Sequence, residues 1–84
     1  MAFMSTKIGE VTHYYPNISV GTIKLSNPLK VGDNLKFEGN KTDFSQPVSE
    51  MQYNHVNIEE AEIGKEVGVK VKEKVRKGDI VSIL

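Results

Sequence analysis

Any chemistry in this chain of 84 residues would have to come from two histidines, His13 and His55, three tyrosines and a few charged clusters, because it contains no cysteine. Without thiols there is neither a disulfide framework nor a thiolate metal site, which fits a reducing compartment. Two isolated imidazoles are too few for a structural metal. No serine, threonine or lysine is placed by its spacing beside a base that would activate it, and no pair of carboxylates has the spacing of an acid and a base. The sequence therefore predicts a protein that is not an enzyme and carries no metal or cofactor. The histidines suit a binding surface better. His13, Tyr14 and Tyr15 in one segment, and Tyr53 and His55 in another, offer flat, polar-tipped rings that could stack on bases or hold a partner protein. The plainer reading is that Tyr14 or Tyr15 closes one end of the core with its hydroxyl in water.

A second candidate is basic. Lys70, Lys72 and Lys74 alternate with Val69, Val71 and Val75, and Arg76 and Lys77 follow in a turn. On a strand that alternation would send the ammonium groups out on one face, a compact stripe for phosphates. It is equally the ordinary wet face of a strand, and Glu59, Glu60, Glu62, Glu66 and Glu73 would offset the potential nearby. Over the whole chain 11 basic residues balance 11 acidic ones, so any polyanion contact must be local. Asn40-Lys41-Thr42-Asp43 matches the motif with which GTPases read guanine, but no glycine-rich phosphate loop accompanies it. Those residues read as a polar hairpin turn, and no nucleotide partner is expected. No apolar run approaches the ~20 residues that span a bilayer. The first residues lack a signal peptide's apolar stretch, so no membrane partner and a cytoplasmic location are expected.

The elements that must position these residues are strands. Turn formers recur at Pro16-Asn17, Asn27-Pro28, Gly32-Asp33-Asn34, Gly39-Asn40, Asn54, Gly64 and Lys77-Gly78-Asp79. Between them Ile8 to Tyr15, Ile18 to Ser26, Leu35 to Glu38, Phe44 to Tyr53, Glu66 to Glu73 and Ile80 to Ile83 are rich in strand-forming types. Leu35 and Phe37, and Val67, Val69 and Val71, alternate with polar neighbours, which places them inward. The three-residue step from Val48 to Met51 predicts a bulge near Ser49 and Glu50, or a crossing of sheet ends. Asn57 to Ala61 predicts one short helical turn, capped by Asn57, buttressed by Glu60 and ended by Gly64. The expectation is an all-β fold, a small closed six-stranded β-barrel, because closure hides strand edges. The domain is expected to span residues 7–84, with Met1 to Thr6 loose.

Three blocks fall in order along the chain: Leu29-Lys30-Val31-Gly32-Asp33-Asn34-Leu35, Val56 to Gly68, and Val75-Arg76-Lys77-Gly78-Asp79-Ile80-Val81. In them Gly32 and Gly78 open turns before strands, Gly64 ends a turn, and Gly68 permits close approach. The pattern resembles the second, β-barrel domain of translation elongation factor Tu. His13-Tyr14-Tyr15-Pro16, Ile18-Ser19-Val20, Thr42-Asp43-Phe44 and Met51-Gln52-Tyr53-Asn54-His55 are closer to the terminal barrel of U32-family peptidase-like proteins, some of which act in RNA modification. The resemblance implies either an RNA- or ribonucleoprotein-contacting module or a docking adaptor for a separate enzyme. In the elongation factors this domain packs on a GTPase domain and helps hold aminoacylated transfer RNA. Lys7-Ile8-Gly9-Glu10-Val11 stands where those factors have an arginine- and glycine-rich segment, so no transfer-RNA pocket residue carries over.

Overall fold

Period-two burial sets the architecture. The computed structural model describes residues 6–84, all in strands and connecting turns with no helix among them. β1 (Thr6–Tyr15) lies between β2 (Val20–Leu25) and β10 (Ile80–Ile83), the final strand of the chain. The others are β3 (Leu29–Lys30), β4 (Asn34–Glu38), β5 (Asp43–Pro47), β6 (Met51–Tyr53), β7 (Val56–Asn57), β8 (Glu60–Ala61) and β9 (Glu66–Lys70). Eight of these strands form one sheet in the order β5-β4-β10-β1-β2-β9-β6-β7, and β3 pairs with β8 as a separate ribbon. All pairings are antiparallel.

One apolar core lies against the sheet. Leu35 and Phe37 from β4, Ile23 from β2, Val67 and Val69 from β9 and Val81 from β10 have no exposed surface. Phe44 stacks on Phe37 at 4.9 Å between ring centroids. In β1 the buried residues Ile8 and Val11 are three apart, and the register against β2 slips between Val11 and His13. Thr12 is the extra residue. Such a bulge sharpens the local twist and re-aims the strand end that carries His13 to Tyr15.

The expectation of six strands is corrected to ten, several of only two or three residues. Phe44 to Tyr53 breaks into β5, paired with β4, and β6, paired with β9, and the change of partner follows Val48. Its N–H donates to the Asp33 carbonyl (2.9 Å) and its carbonyl accepts from Gly32 (3.0 Å). Of the two anticipated irregularities it is therefore the crossing of sheet ends, and not the bulge, that forms. β9 stops at Lys70 rather than Glu73: the Val71 N–H makes one last bond in the β2 register, to the Ser19 carbonyl (2.9 Å), and the next N–H, of Lys72, turns to the Gln46 side chain. The helical turn at Asn57 to Ala61 does not form. Ile58 N–H donates to Met51 (2.9 Å), and Glu60 and Ala61 pair with Lys30 and Leu29, so strand partners satisfy the groups that a helix would have used. Thr6, expected to be loose, pairs with Ile83, and residues 1–5 lie outside the described residues.

Among the described residues no strand pair joins the two sheet edges, β5 and β7, into a ring. A side chain links β5 to the far part of the sheet instead. Gln46 donates from Nε2 to the Lys70 carbonyl (2.7 Å) and accepts at Oε1 from the Lys72 N–H (2.8 Å). Its amide takes the place that a neighbouring strand's peptide would fill.

Candidate functional site

The β6–β7 hairpin has a groove on each of its two sides. Asn54 and His55 connect its strands with φ of 54° and 66°. Both central residues of a two-residue hairpin loop need positive φ when the turn follows the strand twist, and asparagine tolerates it better than histidine. Across the hairpin Tyr53 faces Val56 and Gln52 faces Asn57, so these two pairs point to opposite sides. Gln52 Nε2 donates to Asn57 Oδ1 at 2.9 Å.

On the Tyr53 side a cavity of about 670 Å³ opens between the hairpin and the β3–β8 ribbon, with Pro28, Leu29, Ile58 and Ala61 among its lining. The Lys65 ammonium stands 4.7 Å from the Tyr53 ring centroid, a cation–π contact. Lys30, Asp33, Glu60 and Glu62 also line it. Val56 and Ile63, in the hairpin and in the turn before β9, are 61% and 62% exposed. On the other side a groove of about 250 Å³ lies over Gly68, bounded by Tyr15, Ile18, Val20, His55 and Glu66.

The five aromatic and imidazole residues picked out by sequence thus separate. Tyr15 and His55 share the smaller groove, and His13 packs edge-on against Tyr15 at 4.3 Å. Tyr14 is partly buried and packs against the core. Tyr53 belongs to the larger groove. Glycine at position 68 works on the outer face, rather than inside the core: a Cβ there would lie 3.0 Å from Val20 Cγ1.

The basic stripe is also corrected. Val69, Val71 and Val75 are buried as the alternation requires. Lys72, Lys74, Arg76 and Lys77, however, lie beyond the end of β9, in the connection to β10. Lys70 is committed to the Ile18 carbonyl at 3.1 Å. Arg76 reaches the Lys41 carbonyl and Thr42 Oγ1, both at 3.4 Å, across the β4–β5 turn. Lys72, Lys74 and Lys77 are exposed, but no single strand face aligns them. The Asn40 to Asp43 segment is that β4–β5 turn, where the Gly39 N–H donates to Thr42 (2.8 Å). There Asp43 pairs with Lys36 at 3.1 Å and holds the ammonium above its ordinary range, chiefly by accepting its hydrogen bond. Among the described residues no group of three His, Asp or Glu side chains gathers where a metal could bind.

Sequence reasoning missed Ile63, Val56 and Glu66. The first two are apolar residues in turn-rich stretches, the available signal for exposed contact residues. Glu66 had none, since its importance comes from a neighbour across two strands.

No family model matches the chain. An uncharacterized protease of Methanocaldococcus jannaschii is 39% identical over 83 residues, which are 98% of this chain and 20% of that protein. The chain thus spans about a fifth of the length of the curated relative it matches. The C-terminal domain of a Geobacillus thermoleovorans protein assigned to the U32 peptidases superimposes with a TM-score of 0.87 at 21% identity, over 94% of this chain and 92% of that domain. Its selenomethionine form gives 0.86 at 22% identity, over 90% and 96%. The fold is that of this C-terminal domain.

Proposed function

We propose that this domain is a non-catalytic docking module that presents its Tyr53 groove to the larger body of a U32-like enzyme. The groove itself carries the proposal: a cavity of about 670 Å³ with Tyr53 on its wall and the strongly exposed Val56 and Ile63 on neighbouring turns. Apolar exposure rimmed by mixed charge is how protein interfaces are built. The likeness to the C-terminal domain of a U32 peptidase supports it, as does the archaeal relative, in which the matching stretch is a small part of a longer protein. In this reading the curled sheet, clasped by Gln46, amounts to a barrel. It serves as the second domain of elongation factor Tu serves its GTPase domain, as a rigid body offering one face. RNA contact has less behind it, because the cations meant for phosphates are dispersed over a loop. No nucleotide, membrane or cofactor enters this role, and a cytoplasmic setting suits it.

The test uses the Methanocaldococcus relative with its matching segment removed. Titrated calorimetrically with this domain, it should bind saturably, and binding should persist at high salt, since an apolar face releases few counterions. The double substitution Tyr53→Ala, Ile63→Asp should weaken binding by about tenfold or more, as removal of an interface's central residues does. Saturable RNA binding in place of binding to the enzyme body would overturn the proposal.

A further inference from the structure

We propose that the smaller groove receives an arginine side chain from a partner protein. The dent exists because Gly68 has no side chain in the middle of an outward-facing row, with Thr22 opposite it on β2 and Gln52 on β6. Its floor is kept low: even a methyl group at this position would press on Val20. Tyr15, 46% exposed, and His55 supply ring walls from β1 and from the β6–β7 turn. The hairpin turn, which requires positive φ at His55, sets the ring in that place.

Glu66 supplies the charge. In the ladder it lies opposite Lys24, yet the one ion pair among the described residues is Lys36 with Asp43, so in this structure the Glu66 carboxylate holds no cation within 4 Å. Its Oε2 accepts instead from the Thr12 hydroxyl, which is 2.8 Å from Thr22 Oγ1. The bulge that frees Thr12 from the strict ladder therefore also fixes the carboxylate at the dent. Lys70, one rung away, is tied to the Ile18 carbonyl and does not fill the space. An aromatic wall beside an uncompensated carboxylate matches a guanidinium, whose plane stacks on a ring while its N–H fork meets the carboxylate. A lysine head answers the charge without the plane, and a leucine answers neither.

The partner as the arginine's source rests on the docking reading, but the site itself is testable without any partner. In amide correlation spectra the Gly68 N–H should shift saturably on titration with N-acetyl-arginine amide. Affinity should exceed that for the leucine analogue by about tenfold, the worth of one charge-assisted hydrogen bond, and that for the lysine analogue severalfold. Glu66→Gln, which still offers Thr12 an acceptor, should weaken the arginine analogue by about tenfold. Tyr15→Leu should weaken it severalfold through the lost ring face. Tyr53→Ala should leave it unchanged, so loss of docking and loss of this site separate. Equal affinities for the three analogues, an unmoved Gly68 signal, or undiminished arginine binding in both Glu66→Gln and Tyr15→Leu would overturn the assignment.

Discussion

Glu66 to Lys70 and Val71 to Asp79 follow each other as mixtures of valine and charge, with valines two apart in the first and four apart in the second, and only the first becomes a strand. Both bury their valines: Val67 and Val69 in β9, Val71 and Val75 after it. The strand has β2 on one side and β6 on the other. The second stretch has no continuous neighbour and takes its hydrogen bonds piecemeal, from Ser19, from Gln46 and from its own Asp79. Alternation reports which side chains are buried. Whether the backbone is a strand depends on what lies beside it, and that is a property of distant segments.

The comparison breaks most visibly at the valines. Val69→Ala in the strand and Val75→Ala in the loop, both without exposed surface, should each lose about 2–3 kcal/mol in urea unfolding, with Leu35→Ala as a reference at about 2–5 kcal/mol. A Val75 loss below half that of Val69 would show that the loop opens apart from the sheet.

Asp79 is the next lever. It is 4% exposed, its Oδ2 accepts from the Arg76 N–H at 2.8 Å, and Gly78 before it turns the chain at φ 94°. Asp79→Ala should cost about 1–3 kcal/mol by leaving that donor unpaired, and Asp79→Asn clearly less. Equal costs in thermal unfolding would mean that the charge, rather than the hydrogen bond, matters. A smaller effect belongs to Gln46, the link between β5 and the loop. Gln46→Ala should cost about 1 kcal/mol and speed hydrogen exchange at the Lys72 amide. Gln46→Glu should protect that amide while losing the donor to Lys70.

The inner face was legible in the sequence. Leu35, Phe37, Val67 and Val69 alternate with polar residues and are all buried, and β10 runs from Ile80 to Ile83 as expected. The break at Val48 was half legible, since its three-residue step to Met51 marked a bulge or a crossing of sheet ends, and that it is the crossing depends on β4 and β9, the partners on either side of it, elsewhere in the chain. The grooves were not legible. Tyr53 and His55 are two residues apart yet serve different grooves, because the left-handed pair at Asn54 and His55 reverses the chain between them. Glu66 gains its role through Thr12, which is 54 positions away.

The smallest expected effect bears on the loop's charges. Neutralising Lys70, Lys72 and Lys74 together to Gln should move stability by less than about 0.5 kcal/mol at each position, as exposed charges usually do. Only Lys70 gives up a hydrogen bond, the one to Ile18. Buried Val71 among these lysines and Val75 just after them hold the backbone in place, so the variant changes the field and leaves the loop's path alone. Phosphate contacts would be visible as counterion release: each one lost makes the salt dependence of RNA affinity shallower by about 0.9 in logarithmic slope. Because these ammonium groups spread over a turn and are not aligned on one face, any RNA affinity should be weak and its slope should change little. Affinity for the U32-like enzyme body should stay the same. A large fall in RNA affinity with a slope shallower by two or more contacts would show that the loop gathers on a polyanion, and would move the functional face from the Tyr53 groove to residues 70–77.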